Sequence, residues 1–247
     1  MKKLLTTVAA LAAVLSIAGC ASSGGGASGD EGMTTADFDM KALVVYDFET
    51  PIEDGDVIDA SGNERYGLAG GDGTLVEGKY GQAMVFNGSD GYIMVPEDTL
   101  DAAAWTFAAW VKPDSWRDWS RIMDFGDGNL ADIWLGFAGI EKRTRLDIFS
   151  SGKAVTLLAP TLVPGEWSHI AFTFGDGKVV LYVNGKAAQE VPLDLKPTDI
   201  VKKGCYIGRS NWSADPLFTG AMDEILIADA VYTPAQIKAV MKGIVRK

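Results

Sequence analysis

From Leu43 onward, short apolar runs alternate with polar residues and break at Gly, Asp, Asn and Pro, the period-two pattern of half-buried strands joined by turns. The clearest stretch is Trp167 to Val191. Trp167-Ser-His-Ile-Ala-Phe-Thr-Phe174, Val179-Val-Leu-Tyr-Val183 and Lys186 to Val191 are separated by Gly175-Asp-Gly-Lys178 and Asn184-Gly185. Asp-Gly and Asn-Gly suit two-residue hairpin turns, whose central positions need positive φ, so this stretch predicts an antiparallel meander. Further strands are predicted over Leu43–Glu49, Ala83–Asn87, Tyr92–Val95, Thr106–Lys112, Arg121–Phe125, Ile133–Phe137, Arg143–Phe149, Ala154–Leu158, Cys205–Gly208 and Phe218–Ala228. Short strands at roughly ten-residue spacing define an all-β fold, an antiparallel β-sandwich of jelly-roll type. One short C-terminal helix is expected: Thr233 caps it, Pro234 takes its first position and Gln236 closes a capping box. Tyr232 and Ile237 form the staple and Gly243 ends it.

The first residues depart from this pattern. Lys2 and Lys3 precede an apolar run, Leu4 to Ile17, that ends in Ile17-Ala-Gly-Cys20. It resembles a bacterial lipoprotein signal, whose Cys takes a diacylglyceryl group and becomes the mature N-terminus. A membrane span needs roughly 20 apolar residues, and Thr6, Thr7 and Ser16 interrupt this run. An ordinary secretory signal or an uncleaved anchor are the alternatives. The expected organisation is a lipoprotein signal peptide over 1–19, a lipidated Cys20 with a flexible Gly/Ser linker over 20–40, and one domain over 41–247. Loss of Lys2 and Lys3 with the signal lowers the formal net charge from −11 to −13, a surface that repels nucleic acid and anionic headgroups. A monomer is expected at the cell envelope, in contact with the membrane through its lipid alone. Ala21 after the Cys points to the outer membrane where there are two. With Cys20 lipidated, only Cys205 remains. Inside Gly204-Cys-Tyr-Ile-Gly208 it is expected to be a buried small hydrophobe, with an intermolecular or redox role as the alternative.

Four segments resemble the laminin-G-like domains of the concanavalin A-like lectin/glucanase superfamily, over roughly Lys41 to Ala239. They are Leu43-Val-Val-Tyr-Asp-Phe-Glu49 with Val57-Ile-Asp-Ala-Ser-Gly-Asn63; Gly81-Gln-Ala-Met-Val-Phe-Asn-Gly-Ser-Asp-Gly-Tyr92; Glu166-Trp-Ser-His-Ile-Ala-Phe-Thr-Phe174 with Leu181-Tyr-Val-Asn-Gly-Lys186; and Ile207-Gly-Arg209 with Phe218-Thr-Gly-Ala-Met-Asp-Glu-Ile225. The resemblance implies one structural Ca²⁺ held by an acidic residue of the last strand and carbonyls near the first. Carried over residue by residue, it points to Asp223, to Asp47 or Glu49, to Asp59 and to the Asn87-Gly88 backbone. The alternative is that Asp59, Ser61 and Asn63 make only turn bonds to the backbone and Asp223 bonds a neighbouring loop.

Catalysis finds little support in the residues. Laminarinase-like members of the superfamily carry Glu-x-Asp-x-x-Glu on one strand, and Arg145-Leu-Asp-Ile-Phe-Ser150 keeps the Asp and loses both Glu. Asp223 and Glu224 are adjacent, so on a regular strand they face opposite sides. The single His, His169, lies in the family's strand signature and is expected to be structural, hydrogen-bonded within the sheet; no Gly-x-Ser-x-Gly elbow accompanies it. Seven tryptophans remain: Trp105, Trp110 and Trp167 fall in strand patterns as core. Trp116, Trp119, Trp134 and Trp212 lie in or beside polar segments, where an exposed ring can stack on a sugar; covering the edge of the sandwich is their alternative. The expectation is a non-catalytic carbohydrate-binding module, with a neutral glycan favoured by the negative charge. An adhesion or structural module contacting an envelope or extracellular protein is the second reading, and a glycoside hydrolase or lyase the third. An aromatic-lined groove favours glycan, a flat apolar patch favours protein, and a carboxylate pair in the groove favours catalysis.

Overall fold

The structure, a computed structural model, describes residues 33–139 and 141–244, so the signal segment, Cys20 and residues 21–32 of the linker lie outside the described residues. In chain order the strands are β1 (Ala42–Tyr46), β2 (Asp56–Val57), β3 (Gly67–Gly70), β4 (Leu75–Glu77), β5 (Gln82–Asn87), β6 (Tyr92–Met94), β7 (Trp105–Pro113) and β8 (Arg121–Gly126). They continue with β9 (Asp132–Ala138), β10 (Arg143–Ser150), β11 (Lys153–Ala159), β12 (Ser168–Gly175), β13 (Lys178–Val183), β14 (Lys186–Pro192), β15 (Gly204–Ile207) and β16 (Thr219–Ala228), and α1 (Pro234–Met241) follows. They form two antiparallel sheets. The first runs β14-β13-β12-β7-β16-β5-β4, with β1 beside the second half of β16, and the second runs β11-β10-β9-β8-β15-β6-β3-β2.

Local chemistry sets these elements. Asp176 and Gly177 stand at φ 51° and 75°, Asn184 and Gly185 at 49° and 71°, as the two hairpin turns of the meander require. At α1 the Gln236 amide donates to Thr233 Oγ1 and the Thr233 amide to Gln236 Oε1, the reciprocal box expected there. The first strand stops at Tyr46, because Phe48 at φ 56° turns the chain. Strands β2, β3 and β4 were not legible: they hold two to four residues each, and Gly67-Leu-Ala-Gly70 carries no alternation.

Between the sheets lies the main core, with Trp105, Phe107, Phe125, Phe172, Ile133 and Ile207 among its buried side chains. A second cluster covers the outer face of the first sheet, where Tyr232, Ile237 and Val240 pack on Val45, Ala108, Ala171 and Leu226. Trp110 belongs to this outer side instead of the central core. It pairs in register with His169 and Asp223, and its Nε1 donates to the Met241 carbonyl at 3.2 Å. Trp167 is half-buried. His169 is bonded within the sheet through its amide, which donates to Asn184 Oδ1, but its buried Nδ1 has no partner. Burial holds that imidazole neutral, its pKa lowered to about 3.

Asp223 and Glu224 do not alternate as a regular strand demands. A bulge lies between Asp223 and Leu226 in the pairing with β7, and Glu224 stands at φ 50°. The extra residue keeps the Glu224 carboxylate on the outer side, where it accepts the Ile244 amide at 2.5 Å. No helix among the described residues is long and apolar enough to cross a membrane.

Candidate functional site

The helix covers the first sheet and leaves the outer face of the second without one. Across that face a single register row takes one residue from each of eight strands: Thr156, Asp147, Trp134, Asp124, Tyr206, Met94, Leu68 and Asp56. Directly paired residues share a face, so the row is a continuous stripe, about 34 Å long at the usual strand spacing. Its two halves differ in chemistry.

The half on β8 to β11 is polar and closed upon itself. Arg145 forks onto Asp147, with Nε to Oδ1 and Nη2 to Oδ2 both 2.8 Å, and Thr156 adds a bond of 2.7 Å to Oδ1. The Arg121 guanidinium lies 3.9 Å from the Trp134 ring centre, 5.6 Å from that of Trp212 and 5.9 Å from that of Trp119. Three of the four expected tryptophans therefore gather here, but arginines occupy their faces, and Trp134 is 3% exposed. Trp116 stands apart: it stacks on Phe137 at 5.2 Å and donates from Nε1 to the Leu162 carbonyl, a packing role.

Beneath this cluster lies a carboxyl pair. Asp124 and Asp132 are both 0% exposed. Asp124 Oδ1 accepts Asn211 Nδ2 at 2.7 Å, and its Oδ2 accepts Ser210 Oγ and the Asn211 amide at 3.2 Å. Arg121 Nε lies 3.3 Å from Oδ2 as an ion pair without hydrogen-bond alignment. Asp132 Oδ2 accepts the Gly128 amide, while its buried Oδ1 finds no donor. Burial, and then the neighbouring Asp124 carboxylate, push the Asp132 carboxyl far above the ordinary range, so it keeps its proton at neutral pH. Asp132 so holds its proton beside the charged Asp124.

The half on β15, β6 and β3 is open. A groove of about 250 Å³ is lined by Tyr66, Leu68, Met94, Pro96 and Tyr206, with Glu97 and Lys203 at its wall. Tyr66 and Leu68 are each 47% exposed and Met94 39%, high values for such side chains on a sheet. Cys205 backs the groove as the expected buried hydrophobe, and burial raises its thiol pKa. Tyr92 and Tyr206 meet edge to face at 5.9 Å, and Tyr92 lies where a Cβ on Gly70 would stand 2.2 Å from its ring. The sequence reading, drawn to tryptophan, missed these residues. Their signal was the alternation itself: Cys205 and Ile207 face the core, as do Ile93 and Val95, which sends Tyr206, Tyr92 and Met94 outward.

The expected calcium set does not come together as a whole: Glu49 and Asp223 meet the same segment, Tyr80 to Gln82, while Asp59 and Asn87 bond other loops. Asp59 Oδ1 accepts the Val45 and Ser61 amides at 2.9 Å, and Oδ2 accepts Ser61 Oγ and the Arg65 amide. Asp47 Oδ1 accepts the Glu49 amide, and Glu49 Oε1 accepts the Gln82 amide at 2.9 Å. Asp223 Oδ2 accepts the Tyr80 amide at 2.8 Å; burial first, and Glu224 to a lesser degree, raise its pKa to about 7. Asn87 Oδ1 accepts the amides of Ser89, Asp90 and Gly91 at the opposite end of β5, and the Gly88 carbonyl faces the Arg117 guanidinium at 2.8 Å. Among the described residues no group of three or more His, Cys, Asp or Glu is placed to hold a metal ion. Calcium needs six to eight oxygens in one shell, and these residues do not fit it. They tie loops to strands instead.

Two packed antiparallel sheets with an open outer face define a sandwich of lectin type. Residues 87–238 match a laminin-G model, and the chain belongs to the concanavalin A-like lectin/glucanases superfamily. Among solved structures it is similar to domain 4 of AbnA, a GH43 extracellular arabinanase from Geobacillus stearothermophilus, in complex with arabinotriose. The identity is 24%, the TM-score 0.67, and the match covers 80% of this chain and 97% of that one. It is also similar to botulinum neurotoxin type C, whose cell entry is dependent upon interaction with two ganglioside molecules, at 13% identity and TM-score 0.64, over 85% of this chain and 52% of that one. A third is the binding domain of botulinum neurotoxin DC in complex with rat synaptotagmin II, at 11% identity and TM-score 0.62, over 82% and 51%. The chain thus spans about half the length of the toxin chains. At these identities the likeness shows the fold. No curated protein matches the chain.

Proposed function

We propose that the chain is a non-catalytic carbohydrate-binding module whose ligand lies along the outer face of the second sheet. The observation that carries this reading is the groove of Tyr66, Leu68, Met94 and Tyr206. It offers the exposed Tyr66, the half-buried Tyr206 and the exposed side chains of Leu68 and Met94, on strands or directly beside them, flanked by a few polar groups, the mixture that small-ligand sites combine. The likeness to the arabinotriose-bound domain supports it. A hydrolase would need a carboxyl group within reach of a glycosidic oxygen. On this face Asp124 and Asp132 are sealed and Asp147 is forked by Arg145, and the groove is lined by one carboxylate, Glu97, where a glycosidase uses two. In a retention assay on immobilised polysaccharides, Tyr206→Ala should weaken the full chain by about 2 kcal/mol, as loss of an aromatic anchor does elsewhere. Unchanged retention of both Tyr206→Ala and Tyr66→Ala would reject the groove.

The same proposal sets the module at the cell envelope, tethered by lipid on Cys20, on the strength of Ile17-Ala-Gly-Cys20. A fatty-acid analogue fed to cells should label the wild type and miss Cys20→Ser. Equal labelling of both rejects the tether.

A further inference from the structure

Arg209 stands beside the groove with its guanidinium 4.7 Å from the Tyr206 ring centre and 4.8 Å from that of Tyr92. Tyr206 is common to both features, since it also lines the groove. The other arginines among the described residues spend their N–H groups within the fold. Arg65, Arg121 and Arg145 pair with carboxylates, while Arg117 and Arg143 donate to backbone carbonyls. Arg209 is half-buried, yet its contacts among the described residues are the two tyrosine rings, which supply no hydrogen-bond acceptor in the plane of its fork.

A guanidinium held by cation–π contacts loses little freedom when it meets a planar anion, and its parallel N–H groups match a carboxylate bidentately. Lys203 and Glu97 stand at the groove wall, so the Arg209 fork is the donor left for such an anion.

We propose that the groove receives a carboxylate-bearing sugar within a glycan, a hexuronate, whose ring lies along Tyr206 while its carboxylate engages the Arg209 fork. This rests on the glycan reading above. The test is titration calorimetry of the full chain, in buffer with a chelator, against a panel of polyuronates (galacturonate, mannuronate and glucuronate polymers). The carboxyl-reduced form of each polymer and polyglutamate complete the set. The wild type should prefer at least one polyuronate over its reduced form by about tenfold or more, and bind polyglutamate no better than the reduced glycans. Arg209→Gln should collapse that preference while leaving affinity for the reduced form within about twofold, with its melting temperature showing an intact fold. Equal affinity for acidic and reduced forms, or a preference that survives Arg209→Gln, overturns the acidic-sugar assignment and leaves the glycan reading standing. Polyglutamate bound as tightly as the best polyuronate overturns it in favour of an acidic peptide. Failure to bind any glycan of either form takes the glycan reading down with it.

Discussion

Residue by residue, the outer face of the second sheet shows how context reassigns chemistry. Trp134 was expected to stack on sugar and instead lies under Arg121, 3% exposed, while Tyr206, one strand beyond Asp124 in the same row, lines the groove although Arg209 also meets its ring. The sequence could show that tryptophans were present, but not that arginines from neighbouring strands would occupy their faces. Asp124 and Asp132 illustrate the same point energetically. The folded state holds the Asp132 proton past neutrality, whereas an unfolded carboxyl loses it near 3.8. A raised pKa means that the folded state binds the extra proton. Its contribution to stability is fully present below about 3.8 and is lost as pH rises toward the folded value. Asn at 132 can donate to Asp124 without titrating. Asp132→Asn should therefore leave stability at pH 7 within about 1 kcal/mol of the wild type or above it, and should flatten the decline between pH 5 and 9. Asp124→Asn, which strands Arg121 and Asn211, should cost about 2–3 kcal/mol. Denaturant melts across that pH range measure both. A steeper alkaline decline in Asp132→Asn contradicts the proton held at Asp132.

At the scale of elements, the strands with period-two alternation and the turns with Asp-Gly or Asn-Gly were legible, because their determinants are local. So was α1, whose cap, box and staple lie within six residues of one another. What escaped was either too short to carry a pattern, as in β2 to β4, or fixed by pairing between distant segments. The row from Thr156 to Asp56 is a register property, invisible in any one strand. The calcium expectation failed to find a shell for a related reason: Asp59, Asp223 and Asn87 each bond the backbone of a different loop. A prediction belongs to β3. Gly70 leaves room for Tyr92, and a Cβ there would stand 2.2 Å from its ring, so Gly70→Ala should displace Tyr92 and with it one of the two rings holding Arg209. Binding of an acidic glycan should weaken several-fold, with a smaller effect on stability. Wild-type affinity in a folded Gly70→Ala protein would mean that Tyr92 does not set the position of Arg209.

For the whole molecule, the two sheets have divided their labour. The first is covered on its outer side by α1 and by residues near Phe38, and its buried polar groups anchor turns. The second keeps its outer face open, with one half closed by arginine–tryptophan contacts and the other half apolar and accessible. The fold follows from the sandwich pattern, but which outer face stays open follows from where the helix packs. The most direct measurement of the central claim is hydrogen–deuterium exchange of the full chain with and without a bound glycan. Slower exchange should appear in Tyr66–Leu68, Tyr92–Glu97 and Lys203–Arg209, with none at α1 or β1. Protection confined to α1 and β1, with the groove segments unchanged, would contradict the account.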